Sequence, residues 1–332
     1  MIVEGPYFDE LWPGQVFDTA PALTLTPGHA ATHQAVVGDR LRLALDATLA
    51  RDVTGSAPLA HPGLVWDVAI GQSTLATHHV KANLFYRGLV LRRAPLIGDT
   101  LRTATEVVAL RQNRPRPGRR ATGLVALRIT TTDQEGRPVL DFWRCAMLPL
   151  RDPDADTGHD ADLDTVGTPP TAAALAGVTA GWRLDEFRER HPGEHFDDLA
   201  EGQVLRVGGG DVVSSAPELA RLTLNVAQVH HDAAVAGSQG RLVYGGHTIG
   251  LALSQASRAL PNIVTVAGWI GCDHTGPVHE GDTLHSEVTV EHKQPLPGGG
   301  GLVRLRSLVW AADATQRNDR PVLDWRYVAV LA

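Results

Sequence analysis

Ten residues in the second half of the chain, GDTLHSEVTV (281–290), decide how the rest is read. Leu284, Ser286, Val288 and Val290 alternate with His285, Glu287 and Thr289. Alternation with a period of two marks a strand with one buried and one wet face. Nearly the same stretch occurs earlier, as GDTLRTATEV (98–107). Two further pairs bracket it. FDELWPGQVFD starts at Phe8 and FDDLAEGQVLR at Phe196, while GRPVLDFWRCAML starts at Gly136 and DRPVLDWRYVAVL at Asp319. The offsets, in chain order, are 188, 183 and 183 residues. Three matched blocks in one order make a tandem duplication. Its period is far too long for a solenoid and suits a domain-sized unit. We therefore divide the chain into an N-terminal copy (1–151), a linker (152–190) rich in Asp, Gly, Pro and Thr, and a C-terminal copy (191–332).

Within the second copy, Ser215 stands where it can cap a helix, with Pro217 and Glu218 in the first turn and an end near Asn225. A second helix is expected from about Gly246. Ile249, Leu253, Ala256 and Leu260 give it an apolar stripe, and Pro261-Asn262 stops it. A run of strands follows, and the first copy ends in the same run. The linker is expected to hold one short helix near Ala172–Leu175. Helices followed by antiparallel strands place the chain in the α+β class.

Bulk composition narrows the function. At 332 residues, 43% hydrophobic and 20% charged, the chain can build a packed core. A net charge of −7 argues against nucleic acid as a partner, because phosphate binding needs a basic face. Neither a secretory leader nor an apolar run long enough for a membrane is seen. Cys145 and Cys272 are the only cysteines, which excludes a disulfide framework and suits a reduced, cytoplasmic setting.

The segment LNVAQVHHD (224–232), the later VYGGHTIGLAL (243–253) and GPVHEGDTL (276–284) resemble the signature of the MaoC-like, hydratase-2-type enoyl-CoA hydratases. The layout looks most like their mesaconyl-CoA hydratase branch. The resemblance implies a tandem double hotdog: two antiparallel sheets, each wrapping a central helix. It implies a homodimer, an acyl-CoA substrate, and no cofactor or metal beyond coenzyme A as part of that substrate. It puts His230 on the family's catalytic histidine and Asp232 on the later aspartate. Two departures stand out. Asn225 replaces the catalytic aspartate. In the first copy, VGDRLRLALD (37–46) keeps Asp39 and Asp46 but has Ala44 opposite His230. The N-terminal copy is therefore expected to be non-catalytic.

Hydrating an enoyl thioester requires an activated water, a proton for the α-carbon and donors for the thioester oxygen. Histidine titrates near neutrality and suits the proton work. The free amides of a helix N-terminus suit the oxyanion. The resemblance thus assigns proton transfer to His230, water positioning to Asn225 and the thioester carbonyl to the Gly245-Gly246 turn, through Gly246 N–H. Asp232 or His247 supplies a second polar contact. His231 is expected to point elsewhere, and His274 is a pocket candidate. Arg87, Arg92 and Arg93, with Lys81 nearby, are candidates for the coenzyme A phosphates; the alternative is that they are strand-edge charges. Two other functions fit the same residues: a double-hotdog acyl-CoA thioesterase, whose family also opens its central helix with Gly-Gly, and a non-catalytic acyl-CoA-binding module.

Overall fold

The computed structural model describes residues 4–236, 240–312 and 319–332. The repeated GDTL block is a strand entry built the same way twice. Gly98 and Gly281 have φ of 110° and 94°, which glycine alone adopts without strain. Asp99 and Asp282 then accept the backbone N–H three residues back, from Leu96 at 2.9 Å and His279 at 2.7 Å. Leu101 and Leu284 are fully buried. Their carbonyls accept from Gln72 Nε2 at 3.1 Å and Gln255 Nε2 at 2.8 Å. Each glutamine lies on a central helix, so the same bond ties helix to sheet in both halves.

Those helices are Pro62–Gln72 and Gly245–Ala259. Around them run β1 (Val16–Phe17), β2 (Leu23–Thr24), β3 (Ala82–Leu91), β4 (Thr100–Gln112), β5 (Thr122–Thr132) and β6 (Pro138–Pro149) in the first half. The second half supplies β7 (Val204–Arg206), β8 (Asp211–Val212), β9 (Ile263–His274), β10 (Thr283–Pro295), β11 (Gly301–Ala312) and β12 (Arg320–Leu331). The spatial order β1-β4-β5-β6-β3-β9-β12-β11-β10-β7 makes one continuous antiparallel sheet. The two hotdog sheets are thus joined edge to edge at β3 and β9, with Tyr86 opposite Cys272. That pairing leaves neither central edge strand open to another chain. Trp66, Trp269 and Trp325 pack edge to face at 5.0–6.2 Å across the seam. At Gly71 a Cβ would fall 1.8 Å from Thr223 O, so glycine lets the first central helix touch the second half's backbone.

Several local expectations need correction. Ser215 stands at the N-cap position but makes no side-chain cap, because its φ of 59° turns the hydroxyl away from the helix. The helix it precedes is Ala216–Leu222, which leaves Asn225 in the following loop. The linker holds the expected short helix at Ala172–Ala176, and also a second one at Leu184–Arg190. It is not a loose tether: Leu163, Leu175, Val178, Leu184 and Phe187 are all buried. Among the described residues no helix is long and apolar enough to cross a membrane.

Candidate active site

A cavity of about 300 Å³ opens where the second central helix begins. The C-terminal half contributes Asn225, His230, Tyr244, Gly245, Thr248 and His274 to its wall. The N-terminal half contributes Lys81, Asn83, Tyr86 and Arg144 from β3 and β6 and the turn before β3. The site therefore lies at the seam, and the C-terminal copy does not enclose it alone.

His230 ends a short 3-10 turn, Gln228–His230. Its Nδ1 lies 2.8 Å from Leu242 O, and a carbonyl only accepts, so Nδ1 carries the proton. Nε2 is left as a base. Burial pushes the ring's pKa down to about 4, with His231 and Arg144 adding to the effect and the Leu242 bond opposing it. At neutral pH the imidazole is uncharged and ready to take a proton. Asn225 accepts from Ala227 N–H at 2.9 Å through Oδ1. Its Nδ2, a donor, is the amide end not used by that turn.

Tyr244 precedes the central helix and makes no side-chain cap; the His247 amide bonds Tyr244 O at 2.9 Å, and those of Gly245 and Gly246 keep their hydrogen-bonding capacity. Gly245 forms the cavity wall beside His274, whose Nε2 a Cβ would approach to 2.5 Å. Gly246 stands one step behind, where a Cβ would fall 2.1 Å from Asp67 Oδ1. The Tyr244 hydroxyl donates to Asp67 Oδ1 at 3.1 Å, and Asp67 Oδ2 lies 3.3 Å from His33 Nε2. This chain of buried groups links the site to the first half. His274 is half-buried, its Nε2 is buried without a partner, and desolvation first and His230 second bring its pKa down to about 4.

The structure separates some residues that are neighbours in sequence. His231 turns away, its Nε2 2.7 Å from Asn225 O, as expected. Asp232 is exposed and off the wall; its Oδ1 accepts from Ala234 N–H at 2.8 Å and caps the next short helix. His247 is off the wall too. It points into the core with both ring nitrogens unpartnered, and burial brings its pKa down to about 4. The three arginines assigned to coenzyme A are spoken for. Arg87 bonds Leu163 O and Val166 O at 3.0 Å, Arg92 pairs with Asp141 at 2.8 Å, and Arg93 pairs with Asp133 and Asp99. None of them lines the cavity, whereas Lys81 does, with its side chain exposed at the rim. Sequence reasoning missed Tyr86, Arg144 and Tyr244.

The geometry can be set beside known proteins. No protein-family profile matches the sequence. The chain is 58% identical to the Mycobacterium tuberculosis protein RV0216, which has a double hotdog fold, with a TM-score of 0.91 over 99% of each chain. It is 27% identical to a Chloroflexus aurantiacus protein described as a MaoC domain dehydratase, with a TM-score of 0.85 over 98% of this chain and 97% of that one. The chain belongs to the MaoC-like double-hotdog family. Two curated relatives are each 29% identical to it. Beta-methylmalyl-CoA dehydratase of Chloroflexus aurantiacus is matched over 97% of this chain and 91% of its own length. Mesaconyl-CoA hydratase of Cereibacter sphaeroides is matched over 91% and 88%.

Proposed function

We propose that the chain reversibly hydrates an enoyl-CoA thioester, mesaconyl-CoA or a related short or branched acyl group, to the 3-hydroxyacyl-CoA. The observation that carries this reading is a neutral, half-buried His230 whose free Nε2 shares one cavity with the start of the central helix, which has no side-chain cap. The two curated relatives, named for the two directions of such a reaction, support it.

In this reading Asn225 Nδ2 holds a water whose proton passes to His230 Nε2 as the oxygen attacks the β-carbon. Charge builds on the thioester oxygen, and the first-turn amides of the helix take it, those of Gly245 and Gly246. His230 Nε2–H then protonates the α-carbon, which restores the base. Lys81 stands at the rim, where the coenzyme A phosphates emerge. The same reading includes the family's homodimer, which light scattering tests, and a cytoplasmic setting matched to two buried, unpaired thiols.

The test is a paired assay on the purified protein. Loss of the enoyl-thioester absorbance without release of free thiol is the expected result. Thiol release instead would reassign the protein to the thioesterases, and binding without either change would make it an acyl-CoA-binding module.

A further inference from the structure

Among the described residues Arg144 is the one charged side chain buried in the cavity wall, and none of them supplies it a counter-charge. It is 3% exposed. Only Nη2 is bonded, to Ser73 O at 3.2 Å and Thr77 Oγ1 at 2.8 Å, both uncharged. Nε is buried with no acceptor, and among the described residues no carboxylate bonds the guanidinium. Burial pulls its pKa down, and the groups that offset this are Tyr86, Tyr244 and Cys145. A buried cation is costly unless an anion meets it.

The fold itself does not ask for arginine there. The duplication places Tyr327 at the same point of β12 that Arg144 holds in β6, 183 residues earlier. Tyr327 is neutral, stacks on Trp325 at 3.8 Å and bonds Ser307. On β6, Leu140, Phe142, Arg144, Ala146 and Leu148 share one face, and four of the five are apolar. Lys81 already stands at the exposed rim for phosphates, so the buried guanidinium faces the acyl end. Its planar fork matches a carboxylate.

Building on the hydratase reading, we propose that Arg144 is the specificity residue that receives a free carboxylate on the acyl group. Mesaconyl-CoA, a monothioester of an unsaturated dicarboxylic acid, already carries such a group, and Arg144 is what would select acyl groups of that kind. A methyl in place of that carboxylate leaves the guanidinium buried and unpaired, which penalises plain enoyl-CoAs.

Fumaryl-CoA and crotonyl-CoA differ by a carboxylate for a methyl, and so do the unreactive succinyl-CoA and butyryl-CoA. We would measure kcat/KM for the first pair and calorimetric affinity for the second, on wild type, Arg144→Met and Arg144→Lys. The wild type should favour the carboxylate at least ~100-fold in both measures. Arg144→Met should erase that ratio, and Arg144→Lys should leave part of it. A merely structural arginine would lower both members of a pair together and keep the ratio, which overturns the proposal. So does a wild type with no carboxylate preference, a result that needs no variant to fold. If the wild type turns over neither of these nor mesaconyl-CoA, the hydratase reading fails, and the succinyl-to-butyryl affinity ratio still decides the role of Arg144.

Discussion

The cavity has a twin. In the N-terminal half Leu41, Leu43, Ala44, Leu59, Ala60, Pro62, Leu91, Ala94 and Pro95 line a remnant of about 20 Å³, with Val264 and Thr265 reaching across the seam. Shifted along the duplication, these are the positions of Ala227, Val229, His230, Leu242, Val243, Gly245, His274, Pro277 and Val278 on the wall of the large cavity. Three differences close the first site and open the second. Ala44 has no ring to move a proton. The linker's Val178 and Trp182 fill the space. His61, opposite Tyr244, turns Nδ1 to accept Gly63 N–H at 3.0 Å, so the amide matching Gly246 is already capped. One scaffold thus carries a spent helix terminus and a free one. On the proposed reading the N-terminal half does no chemistry of its own but still serves the site, because its Tyr86 and Arg144 line the large cavity.

The sharpest way to break this contrast is at His230. His230→Gln should lower turnover by about 10²–10⁴-fold with the melting temperature little changed. Ala44→His added to that variant should restore nothing, since the first site has no room for substrate. Recovered activity would show that the twin can still be loaded.

A smaller effect comes from giving position 225 the aspartate that its counterpart Asp39 carries. His230 titrates at about 4, so the acid limb of kcat/KM for free enzyme should inflect nearer 4 than the ordinary 6.5. Asn225→Asp places a carboxylate on the wall of the same cavity, which favours the imidazolium and should move that limb up by about one unit. An unmoved limb would mean that residue 225 does not face His230.

Trp182 tests the plug. Trp182→Ala reopens the remnant and, for a partly exposed ring, should cost about 2 kcal/mol of stability without changing kcat. Chemical denaturation alongside the enoyl assay reads both. A fall in kcat at full occupancy would tie the linker to the live site.

The duplicated strand entry was legible because its glycine, aspartate and alternating apolar residues act locally, within a few positions. His230 and Asn225 were legible because their spacing follows a known signature and one short loop holds both. Asp232 and His247 shared that signature, yet a cap and a core-facing helix position took each off the wall. Arg144 and Tyr86 were hidden because strand pairing across the seam carries them from the other copy. The alignment of the copies held one clue, an arginine among the inward residues of β6 where β12 has tyrosine. The arginines of YRGLVLRRAP misled because charge in a sequence says nothing about the carboxylates and carbonyls that fold against it.

His247 closes the comparison from the stability side. Its twin is Leu64, fully buried in the first central helix. His247 is equally buried, and neither ring nitrogen has a partner. An unsatisfied buried polar group costs about 1–3 kcal/mol, so His247→Leu should stabilise the protein by an amount in that range. The gain should depend on pH. Burial holds the folded pKa at about 4, below that of the unfolded chain, so protons bind the unfolded chain first. Stability is therefore lost as pH falls from about 6.5 towards 4, by up to about 3 kcal/mol from this residue. His247→Leu should flatten that part of the curve while His230 and His274 keep theirs. Denaturation midpoints at pH 7 and pH 5 measure it. A variant that is less stable at both would mean that the ring holds a bond the leucine cannot replace, and that the two helices differ in their cores as well as in their caps.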